Sequence, residues 1–183
     1  TLRPFVMDTS NQFKPEPPFP FDTSPGSAFF RQAKEVHEMS KALTKEQREI
    51  AAFWDCNPFV MHVQGHTMFA TKKMSPGAHW MAIAGQASRQ VNADMLRAAE
   101  AYVWTSIALA DGFLSVWAEK YRSSLVRPAT VINTYLDEGW QPLLQTPPFP
   151  EYTSGHSGIS SAASVVLTQL FGDNFAFADS TEV

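Results

Sequence analysis

NADMLRAAEAYVWTSIALADGFLSVWAEKYR, Asn92 to Arg122, decides the fold. Leu96, Ala99, Val103, Ile107, Ala110 and Leu114 recur along it at helical spacing, and Asn92 stands where a helix cap belongs. The pattern predicts one long central helix from Ala93 to about Arg122, with that stripe facing the core. Toward its C-terminal end, Phe113, Val116 and Trp117 share a face with Lys120. An ammonium therefore projects from an apolar stripe. One reading is a lysine whose stem covers the aromatics while its head reaches water.

Outward from this stretch, other helix signals dominate. Ser27 can cap a helix over 28–41, and Thr44 with Gln47 makes a capping box for a helix running to about Asp55. Ser75-Pro76 opens a segment to about Arg89, with proline at the first helical position. Ser154 to Leu170 is rich in Ala, Ser, Val and Leu and stops at Gly172. Its small residues, Ser160 to Ser164, suit close packing against the long helix. No run of alternating strands, internal repeat or low-complexity tract is visible. The fold class predicted is all-α. Residues 1–26 carry Pro4, Pro15, Pro17, Pro18, Pro20 and Pro25, which favours an extended arm packed on the core through Phe13, Phe19 and Phe21. A proline-rich ligand for another protein is the competing reading of that arm.

The 183 residues are 44% hydrophobic, enough to bury a sizeable core in one domain, taken as residues 27–183 behind the arm. A formal charge of -4 with scattered Lys and Arg argues against a nucleic-acid partner. The single cysteine, Cys56, excludes an intrachain disulfide and reads as a packed small apolar residue. The most apolar stretch, Ala98 to Trp117, is interrupted by Glu100 and Asp111, so no membrane span is expected and the chain reads as soluble. It begins at Thr1 without a signal-peptide pattern, as a processed or trimmed chain would.

Two short motifs carry chemistry. Lys120 is followed, after six residues, by Arg127-Pro128, so that two cations converge near a helix end. Ser154-Gly155-His156 opens the last helix, where first-turn N–H groups and the helix dipole point at an anion and Ser154 can donate a further bond. His156 is placed to exchange a proton near neutral pH. The bland alternative is a serine cap with cations that only neutralise carboxylates, in a non-catalytic helical binding domain. Elsewhere, His62 and His66 are four apart, but Val-Gln-Gly lies between them and Gly65 weakens a helix, so no metal site is assigned. His37 reads as structural or solvated, and His79 as a candidate pocket wall.

At these residues the chain resembles the superfamily joining type 2 phosphatidic acid phosphatases, bacterial acid phosphatases and vanadium-dependent haloperoxidases. The first motif of that superfamily, Lys, six residues, then Arg-Pro, matches at Lys120, Arg127 and Pro128; its Pro-Ser-Gly-His matches at Ser154, Gly155 and His156, with Thr153 replacing proline. The resemblance implies an α-helical bundle in which Lys120, Arg127, Ser154 and Gly155 bind phosphate or vanadate. His156 would be the general acid of a phosphatase, or the histidine that assists peroxide activation in a haloperoxidase. Phosphate ester hydrolysis, with no cofactor, is the first expectation, on a small phosphate ester or oxyanion; a vanadium-dependent haloperoxidase, with vanadate as cofactor, is the alternative. The third motif of the superfamily, which supplies an Arg and the attacking or vanadium-ligating His, has no counterpart, because neither residue type follows His156. A domain incomplete at its C-terminus is expected, inactive alone and completed by a C-terminal segment or second fragment. The superfamily also suggests a bacterial protein, periplasmic or secreted.

Overall fold

The computed structural model describes residues 2–56, 59–64, 66–72 and 74–179. It is all-α with one accessory hairpin. The helices are α1 (Ala28–Ala42), α2 (Lys45–Phe53), α3 (Pro76–Gln90), α4 (Met95–Ser123), α5 (Pro128–Tyr135) and α6 (Gly155–Phe171). Strands β1 (Phe59–Gln64) and β2 (Thr67–Lys72) pair antiparallel, with His62 opposite Phe69. His62 and His66 therefore lie on a strand and in its turn, and share no helix face. Among the described residues, no three His, Cys, Asp or Glu side chains cluster as a metal site would require. No described helix is long and apolar enough to cross a membrane.

Local chemistry explains most helix boundaries. Ser27 accepts from Phe30 N, Thr44 and Gln47 form the reciprocal capping box, Ser75 accepts from Ala78 N with Pro76 behind it, and Gly172 closes α6. The start of α4 differs from expectation. Asp94 accepts from Arg97 N at 2.8 Å, whereas Asn92 sits in the preceding turn at φ 50°. A carboxylate at a helix N-terminus satisfies an orphan N–H and also complements the dipole. After α4 ends in a left-handed Ser124, Pro128 starts α5, because proline fits the first helical position as well as it stops a preceding turn.

Helix α4 packs against α6 and α3, which also touch each other, while α1 packs on α5. The face of α4 that is buried is not the predicted aliphatic stripe. Ala101, Thr105, Leu109 and Val116 are buried, whereas Leu96 and Val103 are exposed. Backbone proximity selects this face. A Cβ on Gly158 would collide with Val116 Cγ2, and one on Gly112 would lie 3.3 Å from Ala162 Cβ, so α4 and α6 approach through small residues. Leu109, Ile159 and Ala163 form the core there, with Trp80 and Met81 against it. A second core joins Phe29, Phe30 and Ala33 of α1 to Val131 of α5.

The N-terminal arm is extended, as its prolines require, but it is not anchored by the expected phenylalanines. Phe13 and Phe19 are largely exposed, and only Phe21 meets a ring of the core, Phe29, at 5.1 Å between centroids. The anchor is electrostatic. The buried Asp111 carboxylate accepts the backbone N–H groups of Phe5, Val6 and Met7 at 2.7, 2.8 and 3.1 Å. Burial alone would raise its pKa, yet the three N–H donors outweigh this and hold it below the ordinary carboxylate value.

Candidate active site

The loop 136–154 brings the two motifs together. Lys120, Arg127, Ser154, Gly155 and His156 all line one cavity of ≈ 730 Å³, whose walls include Phe113, Trp117, Trp140 and Phe149. Cys56 borders it too, and is only half-buried. His79 is not part of the wall; it stacks on Trp54 and pairs with Asp179 at 2.5 Å.

Lys120 does not reach water. It is 2% exposed, and its Nζ donates to the carbonyls of Pro150 at 2.9 Å and Glu151 at 3.0 Å. Nζ also lies 5.2 Å from the Phe149 ring centroid and 5.9 Å from that of Trp117. Desolvation pushes its pKa down and the Arg127 charge adds to this, while Glu151 opposes both. An ammonium has three donors, and two are accounted for by these carbonyls. Among the described residues, position 120 therefore holds a desolvated cation with a donor left over, beside a cavity.

Arg127 is fixed by the same loop. Its Nε donates to Phe149 O at 2.6 Å, Nη1 to Glu151 Oε2 at 2.7 Å and Nη2 to Pro150 O at 3.4 Å, with the guanidinium 4.8 Å over the Phe149 ring. At the start of α6, Ser154 Oγ accepts from Ser157 N at 3.2 Å, which leaves its O–H available as a donor. Ser157 and Gly158 N–H are satisfied by Ser154, so the N–H groups of Gly155 and His156 are the ones without an intrahelical acceptor. Gly155 lies against the Trp117 ring. His156 is exposed on the first turn, at the cavity.

The arrangement combines two cations, an outward-facing hydroxyl and a helix N-terminus at one end of an aromatic-walled cavity. Its donor set suits a multiply charged oxyanion. Two features also fit the bland reading, since Ser154 is a cap and Arg127 does neutralise a carboxylate. Lys120 does not fit it, because its acceptors are neutral carbonyls. Sequence reasoning assigned no role to Phe149 and Glu151. Their signal was the proline-dense run Pro147-Pro148-Phe149-Pro150-Glu151 directly ahead of the Ser-Gly-His motif, which stiffens the backbone where carbonyls must be presented.

Comparisons with known proteins agree with this geometry. The family model described as the VCPO second helical-bundle domain matches residues 100–183, which include both motifs. No curated protein matches the chain. Among solved structures, the crystal structure of a bacterial vanadium-dependent iodoperoxidase is 52% identical, with a TM-score of 0.88 over 99% of this chain. The chain spans 43% of the length of that protein. Likeness of sequence and of backbone thus run together through the helices that carry Lys120, Arg127 and Ser154, and the chain belongs to the superfamily that joins the type 2 phosphatidic acid phosphatases, the bacterial acid phosphatases and the vanadium-dependent haloperoxidases.

Proposed function

We propose that this chain supplies the oxyanion-holding part of a vanadium-dependent haloperoxidase. The observation that carries the proposal is the pairing of desolvated Lys120 with Arg127 in one cavity with the α6 N-terminus, in a chain 52% identical to a vanadium-dependent iodoperoxidase. Phosphate ester hydrolysis, the first expectation from the sequence, has support only at the level of the superfamily, whereas the iodoperoxidase likeness favours the alternative. The same donors suit both, because vanadate and a phosphoryl group in transfer present similar oxygens.

Vanadate fits the residues present. Lys120 and Arg127 would balance its charge, and the Ser154 hydroxyl and Gly155 N–H would bond its oxygens. When bound, vanadate supplies the Lewis acidity that activates peroxide toward halide oxidation. The protein's own contributions are then positional and protonic. Trp117 and Phe149, whose rings lie 4.8–5.9 Å from Lys120 Nζ or Arg127 Cζ, displace water on one side of the cations, so their charges act through a lower dielectric. His156, exposed at the cavity, is placed to take up or release a proton at an imidazole nitrogen. The Arg and His of the third motif are proposed to come from a C-terminal segment or a second fragment, since residues 157–183 hold neither. The chain alone is then expected to show no turnover.

The test uses the protein completed by that segment. After vanadate loading it should oxidise iodide with peroxide, and the phosphate-ester assay should be the weaker of the two. Lys120→Ala, Arg127→Ala and His156→Ala should each lower turnover by about two or more orders of magnitude, the scale for lost oxyanion donors and proton-transfer groups. Full activity in His156→Ala would remove that residue from the mechanism. Phosphatase activity without halide oxidation would restore the first expectation.

A further inference from the structure

We infer that Glu151 is a specificity-determining residue, a tethered carboxylate that occupies Arg127 until a more highly charged oxyanion displaces it. The inference rests on the oxyanion reading of Lys120 and Arg127. Every acceptor described for these two cations comes from residues 149–151, but the acceptors are of two kinds.

The carbonyls of Phe149, Pro150 and Glu151 belong to a backbone that cannot easily move. Pro147, Pro148 and Pro150 restrict it, Glu151 N donates to Leu125 O at 2.9 Å, and Ser123 Oγ donates to Tyr152 O at 3.3 Å. The Phe149 ring, stacked under both cations and tilted against Trp117 at 5.2 Å, holds the same segment from the side. The Glu151 side chain has no such restraint. It is 39% exposed, it lines the cavity, and a single bond of 2.7 Å to Arg127 Nη1 fixes it. Rotation about its side-chain torsions would free that donor toward the cavity without disturbing the carbonyls.

A carboxylate tethered beside its cation competes as a ligand at millimolar-scale effective concentration. An entering anion must exceed it in charge and in acceptor oxygens. Orthovanadate and phosphate do so; halides and simple monocarboxylates do not. Glu151 thus favours polyoxyanions over small monoanions at Arg127, and returns to neutralise the guanidinium when the site empties.

The experiment is equilibrium binding of orthovanadate, and separately of inorganic phosphate, to the protein completed by its third-motif segment and to variants of it, by titration calorimetry. Glu151→Gln and Glu151→Ala should each bind vanadate roughly three- to tenfold more tightly, the scale of a partly exposed charged pair. They should also gain binding of acetate as a probe monoanion, and Glu151→Asp should stay near the parent. Thermal unfolding of the variants separates this from a structural role, since destabilised variants would bind more weakly. Equal vanadate affinity with and without Glu151, still abolished by Lys120→Ala, would overturn the inference and leave the oxyanion site standing. Absence of binding in all variants, or binding indifferent to Lys120 and Arg127, would overturn both.

Discussion

Asp111 and Lys120 are both buried charges on α4, and both bond to backbone groups, yet they differ in how fully they are partnered. Asp111 receives three N–H groups from a single short segment of the arm, and those donors are enough to hold its pKa down. Lys120 receives two carbonyls, keeps one donor unassigned, and has its pKa pushed down by burial and by a second cation. A charge whose partners are complete is a fastener. A charge left short of partners, next to another of the same sign and beside a cavity, is in the proposed function the one that takes an external counter-ion. Side-chain chemistry alone would not separate the two; the surplus of donors or acceptors does.

The largest effect expected from this contrast falls on Asp111. Asp111→Ala leaves three N–H groups of the arm without their acceptor and should cost about 3 kcal/mol, the upper scale for hydrogen bonds to a charged group. Urea unfolding reads the loss, and faster chymotryptic cleavage after Phe5 and Phe13 reports release of the arm. A loss below about 1 kcal/mol would mean that the arm is held by packing instead. Lys120→Met should cost less, about 1 kcal/mol, because a methionine fills the same aromatic sleeve without a desolvated charge and Pro150 O keeps a contact from Arg127. The same variant should nevertheless lose vanadate binding by about two orders of magnitude. If Lys120→Met unfolded the protein as severely as Asp111→Ala, the distinction between fastener and site would fail.

How much of this was legible before the structure depends on distance along the chain. Helix ends at Ser27, Thr44, Ser75, Ser154 and Gly172 were readable, because a cap is a contact between residues three or four apart. The motif residues were readable for a related reason, since Lys120 with Arg127 and Ser154 with His156 are short patterns in their own right. The buried face of α4 was not, because it is decided by how closely α6 approaches, and Gly112 and Gly158 weigh more there than Leu96 and Val103. The hairpin β1–β2 was missed as well. Its strands flank a turn at His66, and the spacing of His62 and His66 drew attention away from their alternation. The Arg127–Glu151 and Asp111–arm contacts join residues 24 and 104–106 apart, and no local pattern announces either.

A third charge shows what happens when side chains rather than backbone satisfy a carboxylate. Asp137, just beyond α5, accepts from His37 Nε2 at 3.1 Å and Lys41 Nζ at 3.0 Å, and so ties α1 to the start of the loop that carries the site. The bonds from His37 and Lys41 hold its pKa down at about 2, against an ordinary 3.8. A carboxyl whose folded pKa is depressed stabilises the fold above its unfolded pKa, and the contribution fades as pH falls through the folded value. Stability from this tie should therefore be constant above about pH 4 and decline between about pH 4 and pH 2. Lys41 is exposed and Asp137 only half-buried, so solvent screens the tie, the effect should be the smallest of those considered, and salt should weaken it. Comparing the melting temperature of the parent with that of Asp137→Asn across this window isolates it, because the variant lacks the titrating group while every other carboxylate remains. Parallel curves from pH 4 to pH 2 would show that the tie adds nothing. Convergence of the two curves on acidification, with the gap at pH 4 narrowed by salt, would place Asp137 apart from Asp111, whose backbone donors cannot be screened in the same way.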